Sequence, residues 1–220
     1  MATILLQLWH VPWGKHNPVS WRTHHKAIIG SKGVEQTHVL PVVMIKDPFQ
    51  WMSSMCRHPY AAQWKYTKSN CPHLLKNGVG NTVTVPYRAD KVGTYESLVG
   101  LWNDWYGDYL AISSFPRLII RYEDLLFHLE EVVTEVCHCG GGTLINHEEH
   151  GIVLKSEDAK RGQLNGGPKS NGLLGAMSRY GGDEKRTKDF SSEDLTYAKE
   201  VLRMDLMELF SYSYPKDNQN

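Results

Sequence analysis

Four consecutive apolar residues, Val42-Val43-Met44-Ile45, run straight into Lys46-Asp47-Pro48 and then an aromatic, Met-rich segment reaching Tyr60. This stretch constrains the fold most, because it joins a buried-strand signal to a helix start through a two-residue turn. Proline lacks a backbone donor and is tolerated in the first helical turn, while Asp47 can accept from the free N–H groups there, so Asp47-Pro48 reads as N-cap and first helical residue. The free N–H groups and dipole of that turn favour an anion, and Lys46 adds a full positive charge. Ser53 and Ser54 follow within two turns, where a hydroxyl can join the same anion. The plain alternative is an ordinary strand-to-helix junction carrying a surface lysine.

The 220 residues suit one compact α/β domain. Lysine plus arginine balances aspartate plus glutamate at 24 each, so no global field recruits nucleic acid or an anionic surface, and local geometry must hold any anion. No apolar run approaches the ~20 residues of a membrane span. The chain is expected to have no membrane span and no nucleic-acid partner.

Residues 3–9, TILLQLW, read as a first strand and 39–45 as a second, apolar throughout as for a parallel strand covered on both faces. Residues 61–91 look irregular, with turns at Asn77-Gly78 and Gly80-Asn81 and one short strand over Thr82–Pro86. A helix is expected to start at Thr94 and to bury an aromatic stripe of Leu98, Leu101, Trp102, Trp105, Tyr109 and Ile112; an aromatic platform for sugars or bases is the alternative. Arg117–Arg121 reads as a third strand, followed from Tyr122 by a helix with Leu125, Leu126, Leu129, Val132, Val133 and Val136 on its apolar face. Strand, turn and helix thus occur twice, the alternation that builds parallel α/β sheets. Residues 139–189 hold three glycine runs among lysines and read as a lid or surface loops. A last helix is capped by Ser191, with Asp194 at its third position and Leu195, Ala198, Val201, Leu202, Leu206 and Leu209 following at helical spacing.

There are four cysteines. Cys56 and Cys71 enclose a loop that a disulfide closes with worthwhile entropy, which would suit a secretory compartment. Cys137-His138-Cys139 lacks the second pair a structural zinc needs, so no metal is expected. The phosphate-cradling GxxxxGK[ST] and GxGxxG loops are missing, as is GxSxG, and the histidines of HEEH at 147–150 are three apart rather than four.

The remaining pattern resembles the sulfotransferases that use 3′-phosphoadenosine 5′-phosphosulfate, a branch of the P-loop nucleotide-binding α/β proteins. In that family a strand ends in Arg-Asn-Pro, and a serine eight residues after the arginine joins it on the donor's 3′-phosphate; here Lys46-Asp47-Pro48 and Ser54 stand in that relation. A later family strand runs into Tyr-Glu-Asp-Leu, with the tyrosine near the adenine, matched by Tyr122-Glu123-Asp124-Leu125. The resemblance extends to Lys15-His16-Asn17-Pro18, which implies His16 as general base and Lys15 as the cation near the transferred sulfuryl group. Lys160-Arg161-Gly162 is similar to a family triplet on the 3′-phosphate and implies a role for Arg161.

The implied fold is a single three-layer α/β domain over 1–220, with a mostly parallel central sheet flanked by helices and the 139–189 region as a lid. The implied partners are the nucleotide co-substrate, no metal, and a hydroxyl acceptor, with carbohydrate favoured because the Trp-rich loops suit sugar stacking and a Cys56–Cys71 bridge suits the secretory route. A secretory or Golgi location is implied if an anchor lies upstream, and a cytoplasmic one otherwise. No Pro-Lys-x-Gly-Thr segment of the kind that holds the 5′-phosphosulfate lies between Met1 and Lys15. Losing one preorganised donor at a developing charge costs ~2.7–4 kcal/mol of barrier, so the domain is expected to be an N-terminally shortened form of the enzyme, and the alternative expectation is an inactive binding protein that keeps the scaffold without the loop.

Overall fold

The computed structural model describes residues 40, 42–88, 91–111, 116–142, 177–178 and 180–215. The expected strand at 3–9, and Lys15, His16 and Arg161, lie outside the described residues, as does most of 139–189.

The opening stretch folds as a strand, β1 (Val42–Ile45), and a helix, α1 (Pro48–Met55). After α1 come two antiparallel hairpins, β2 (Leu75–Lys76) with β3 (Val79–Gly80), and β4 (Val83–Arg88) with β5 (Lys91–Tyr95). Helix α2 (Leu98–Ala111) leads back to β6 (Leu118–Arg121), which pairs parallel with β1. Parallel neighbours need a crossover, and the two hairpins and α2 belong to this one. The register sets Ile45 opposite Arg121, so Lys46 and Tyr122 are the first residues beyond the same end of the strand pair. The result is a mixed α/β protein with a small parallel sheet and short antiparallel strands among the described residues.

Among the described residues strand β1 is buried on one face: Val43 and Ile45 are buried, while Val42 and Met44 are 36% and 44% exposed. The apolar run suggests cover on both faces, but side chains alternate across a strand, and a short run carries no periodicity to tell the two cases apart. Ile45, Phe49, Met52, Val99, Trp102 and Leu206 are fully buried and join β1, α1, α2 and the C-terminal helices in one core.

The region read as irregular is tied down at several points. A disulfide joins Cys56, at the end of α1, to Cys71, and the Trp64 indole donates to the Pro72 carbonyl at 2.9 Å. Buried Asp194 accepts from the Leu74 and Leu75 N–H groups at 2.8 and 3.1 Å. Asn77 and Gly78 turn β2 into β3 with φ of 53° and 77°, the backbone an Asn-Gly turn supplies at least cost.

Thr94 lies in β5, opposite Thr84, rather than at a helix start. Ser97 caps instead, its hydroxyl accepting from the Val99 and Gly100 N–H groups at 3.1 and 3.4 Å. A β-branched threonine serves a strand as readily as a cap, and sequence does not choose between them. The described part of the aromatic stripe does pack in the core: Leu98, Leu101 and Trp102 are buried, and Trp105 and Tyr109 lie against them, while Ile112 is outside the described residues.

The helix expected from Tyr122 divides at His128 (φ −133°, ψ 42°) into α3 (Tyr122–Phe127) and α4 (Leu129–Cys139). Helix α5 (Asp183–Thr187) follows, and the last helix divides into α6 (Ser192–Val201) and α7 (Met204–Leu209). Ser191 does cap α6, accepting from the Asp194 N–H at 3.0 Å. The break between α6 and α7 is held by buried Asn103, which donates to the Val201 carbonyl at 2.8 Å and accepts from the Arg203 N–H at 3.1 Å. Apolar spacing continues across both breaks, so periodicity does not register them. Among the described residues no helix is long and apolar enough to cross a membrane.

Candidate functional site

The Lys46–Asp47 turn is held from four directions. The Trp102 indole donates to the Lys46 carbonyl at 3.1 Å. The Asp47 N–H donates to Glu123 Oε1 at 3.0 Å, and Glu123 Oε2 accepts from the Tyr212 hydroxyl at 2.8 Å. Asp47 is the N-cap of α1, with Pro48 in the first turn and Oδ1 accepting from the Gln50 N–H at 3.0 Å. Its other oxygen accepts from Arg186 Nε at 2.7 Å, in an ion pair whose side chains are only 8% and 7% exposed. Arg186 also donates to the Ser213 carbonyl and lies 4.9 Å over the Phe49 ring.

The cap changes the anion argument. Pro48 has no N–H, the Gln50 N–H goes to the Asp47 side chain, and the Trp51 N–H goes to the Asp47 carbonyl at 2.7 Å. The first turn of α1 therefore offers an incoming anion less than an uncapped turn would, and attraction falls mainly on Lys46. Its ammonium sits 5.5 Å from the centroid of the Tyr122 ring and 4.8 Å from that of Tyr180, whose rings meet edge to face at 5.1 Å. A cation over aromatic faces is attracted by their quadrupoles and stays within a defined space.

The titration of the surrounding groups follows from burial. Burial pushes the Glu123 carboxyl above the ordinary glutamate range; hydrogen bonds from the Asp47 backbone and Tyr212 oppose the shift, and the Asp47 charge adds to it. The Tyr212 phenol is driven well above its usual value by burial and then by the facing Glu123 carboxylate. Tyr106 rises for the same two reasons, while a hydrogen bond from the Lys46 backbone works against them.

Of the residues singled out in the sequence, Lys46 and Tyr122, 76 positions apart, are brought together. Ser54 is half-buried and donates to the Trp51 carbonyl at 2.7 Å, an internal helix bond that leaves its lone pairs as acceptors. The Ser53 hydroxyl is buried with no hydrogen-bond partner. Cys137 and Cys139 are not in a disulfide, and the described residues contain no group of three metal-ligating side chains. A cleft of about 340 Å³ lies between β6, α3, α4 and the end of α7, but neither Lys46, Ser54 nor Tyr122 lines it.

Sequence reasoning missed Arg186, Tyr180 and Tyr212 at this site. Arg186 stands in an unremarkable charged run, Asp183–Lys188, with no local signal. Glu123 was visible as part of the Tyr-Glu-Asp-Leu motif, and Trp102 as one member of the aromatic stripe, but not as groups gripping the turn.

These features define a mixed α/β protein with a lysine–tyrosine cluster at the carboxyl end of a parallel strand pair. Comparison with family models, curated proteins and solved structures finds no match to the chain.

Proposed function

We propose that this chain is a sulfotransferase-like protein: a three-layer α/β domain that binds 3′-phosphoadenosine 5′-phosphosulfate and transfers its sulfuryl group to an acceptor hydroxyl, with carbohydrate the favoured class. One observation carries the reading. Two motifs matched separately in the sequence, Lys46-Asp47-Pro48 and Tyr122-Glu123-Asp124-Leu125, meet at the same end of paired parallel strands, with the Lys46 ammonium 5.5 Å from the Tyr122 ring. Ligands of open α/β sheets bind outside the carboxyl ends of the strands, and a cation beside an aromatic face suits a nucleotide phosphate next to a base.

In this reading Lys46, Ser54 and Arg161 hold the 3′-phosphate and Tyr122 borders the adenine. His16 takes the acceptor's proton, and Lys15 offsets charge on the bridging oxygen as it leaves. No metal is required. The Cys56–Cys71 disulfide supports a location in the oxidising secretory route.

Calorimetric titration with adenosine 3′,5′-bisphosphate tests the pocket, and transfer of labelled sulfate to a panel of glycans tests the activity. Binding should weaken on the order of tenfold in Lys46→Ala, the loss of one charge-assisted contact. Folded wild-type protein giving no binding heat would overturn the proposal. Binding without transfer would assign the alternative role, a donor-binding protein that does no chemistry.

A further inference from the structure

Among the described residues, the cations Lys46 and Arg186 and the carboxylates Asp47 and Glu123 lie in or against the strand-to-helix turn, and the Arg121–Asp124 ion pair sits next to Glu123. Asp47 is adjacent to Lys46 in the chain and is fixed there as the α1 cap. Its negative charge opposes the attraction of Lys46 for any anion. Arg186 answers that charge from 139 residues away, through Nε at 2.7 Å, and both side chains are more than nine-tenths buried. The guanidinium is anchored twice more, by the Ser213 carbonyl and the Phe49 ring. Water screens such a pair poorly, so its charges act on their neighbours over several ångströms.

We infer that Arg186 is a positioning residue for the anion site: by neutralising Asp47 and fixing the turn, it lets Asp47 cap α1 without cancelling Lys46. The inference rests on the proposed binding of an anionic nucleotide at Lys46. It extends the site to a helix whose sequence carries no motif, and it makes the sign of each charge, rather than packing alone, the controlling quantity. Removing Arg186 leaves the Asp47 charge without its buried counter-ion beside Lys46 and disfavours the anion. Removing the charge of Asp47 does the opposite, and asparagine is as good an N-cap as aspartate. Removing both restores the balance, and neutral replacement of a buried ion pair is often tolerated by the fold.

The test is a double-mutant cycle read by titration with adenosine 3′,5′-bisphosphate, with circular dichroism to establish that each variant is folded. Arg186→Gln should weaken binding and Asp47→Asn should strengthen it, each on the order of tenfold at low salt; the double variant should return to within about threefold of wild type. Arg186→Lys, which keeps the charge, should bind far better than Arg186→Gln. A purely structural pair predicts a different pattern, with both single variants binding more weakly. That pattern, or a folded double variant that has lost binding, overturns the inference while leaving the donor-binding proposal intact. If Arg186→Gln fails to fold, Asp47→Asn decides, since tighter binding supports the inference and unchanged or weaker binding sinks it; if Asp47→Asn fails to fold, Arg186→Lys decides, since binding near wild type supports the inference and binding as weak as that of Arg186→Gln sinks it. Failure of the wild-type protein to bind the bisphosphate would instead remove the donor-binding proposal, and this inference with it.

Discussion

Glu123 shows how one side chain ties chemistry to stability. It is buried, accepts from the Asp47 N–H and the Tyr212 hydroxyl, and has its carboxyl pKa raised chiefly by burial from the ordinary 4.5. A raised folded-state pKa means the folded chain holds the proton more tightly than the unfolded chain does. Its contribution is therefore full below 4.5 and is lost as pH rises through the raised value. Glutamine is neutral at every pH and keeps both partners, because its oxygen still accepts from Asp47 while Tyr212 turns from donor to acceptor. Urea denaturation of Glu123→Gln and wild type between about pH 4 and pH 7 should show the difference moving steadily in favour of the variant as pH rises. A difference independent of pH would mean that burial does not control this carboxyl. Ser54, by contrast, stands eight residues after Lys46, and that spacing does not reveal its bond to the Trp51 carbonyl, since spacing gives no rotamer.

Among the elements, α2 links the sequence pattern to the site most directly. Its stripe reads as core and is core, yet fully buried Trp102 also donates to the Lys46 carbonyl. Trp102→Phe should cost about 1–3 kcal/mol, combining a carbonyl left without its donor with a partly refilled cavity. Trp105→Phe, on the partly buried flank of the same helix, should cost less. Thermal melts of the two variants check the order, and equal losses would mean that the bond to Lys46 adds nothing. The start of α2 was misplaced from sequence because Thr94 and Ser97 are both plausible caps; strand pairing of Thr94 with Thr84 settled the choice. The division of the last helix was likewise hidden, because Asn103, which bridges the break, lies about 100 residues away.

At the scale of the whole molecule, a cross-link holds the segment between α1 and the first hairpin. The Cys56–Cys71 bridge spans 15 residues, and closing a loop of that size is worth about 3 kcal/mol in the unfolded state. The double variant Cys56→Ser/Cys71→Ser should lose stability of that order in chemical denaturation. A wild-type midpoint unmoved by reducing agent would contradict it. The other long ties act in the same direction: Asp194 holds the segment before the first hairpin against α6, and Arg186 and Tyr212 bring the C-terminal stretch onto the strand-to-helix turn.

The sequence by itself determined the local grammar: an apolar run entering Asp47-Pro48, a second strand entering Tyr122, a serine cap at 191, and an aromatic stripe for the core. These are short-range preferences of backbone and side chain, written within a few residues of where they act. Only the tertiary structure decided that Lys46 and Tyr122 share one end of a parallel pair, that the Asp47 cap is neutralised by Arg186, and that Tyr180 forms the second wall around the lysine. Those facts depend on register and on which distant side chain reaches a buried carboxylate. Such pairings arise from packing the whole core, and no local run of residues records them.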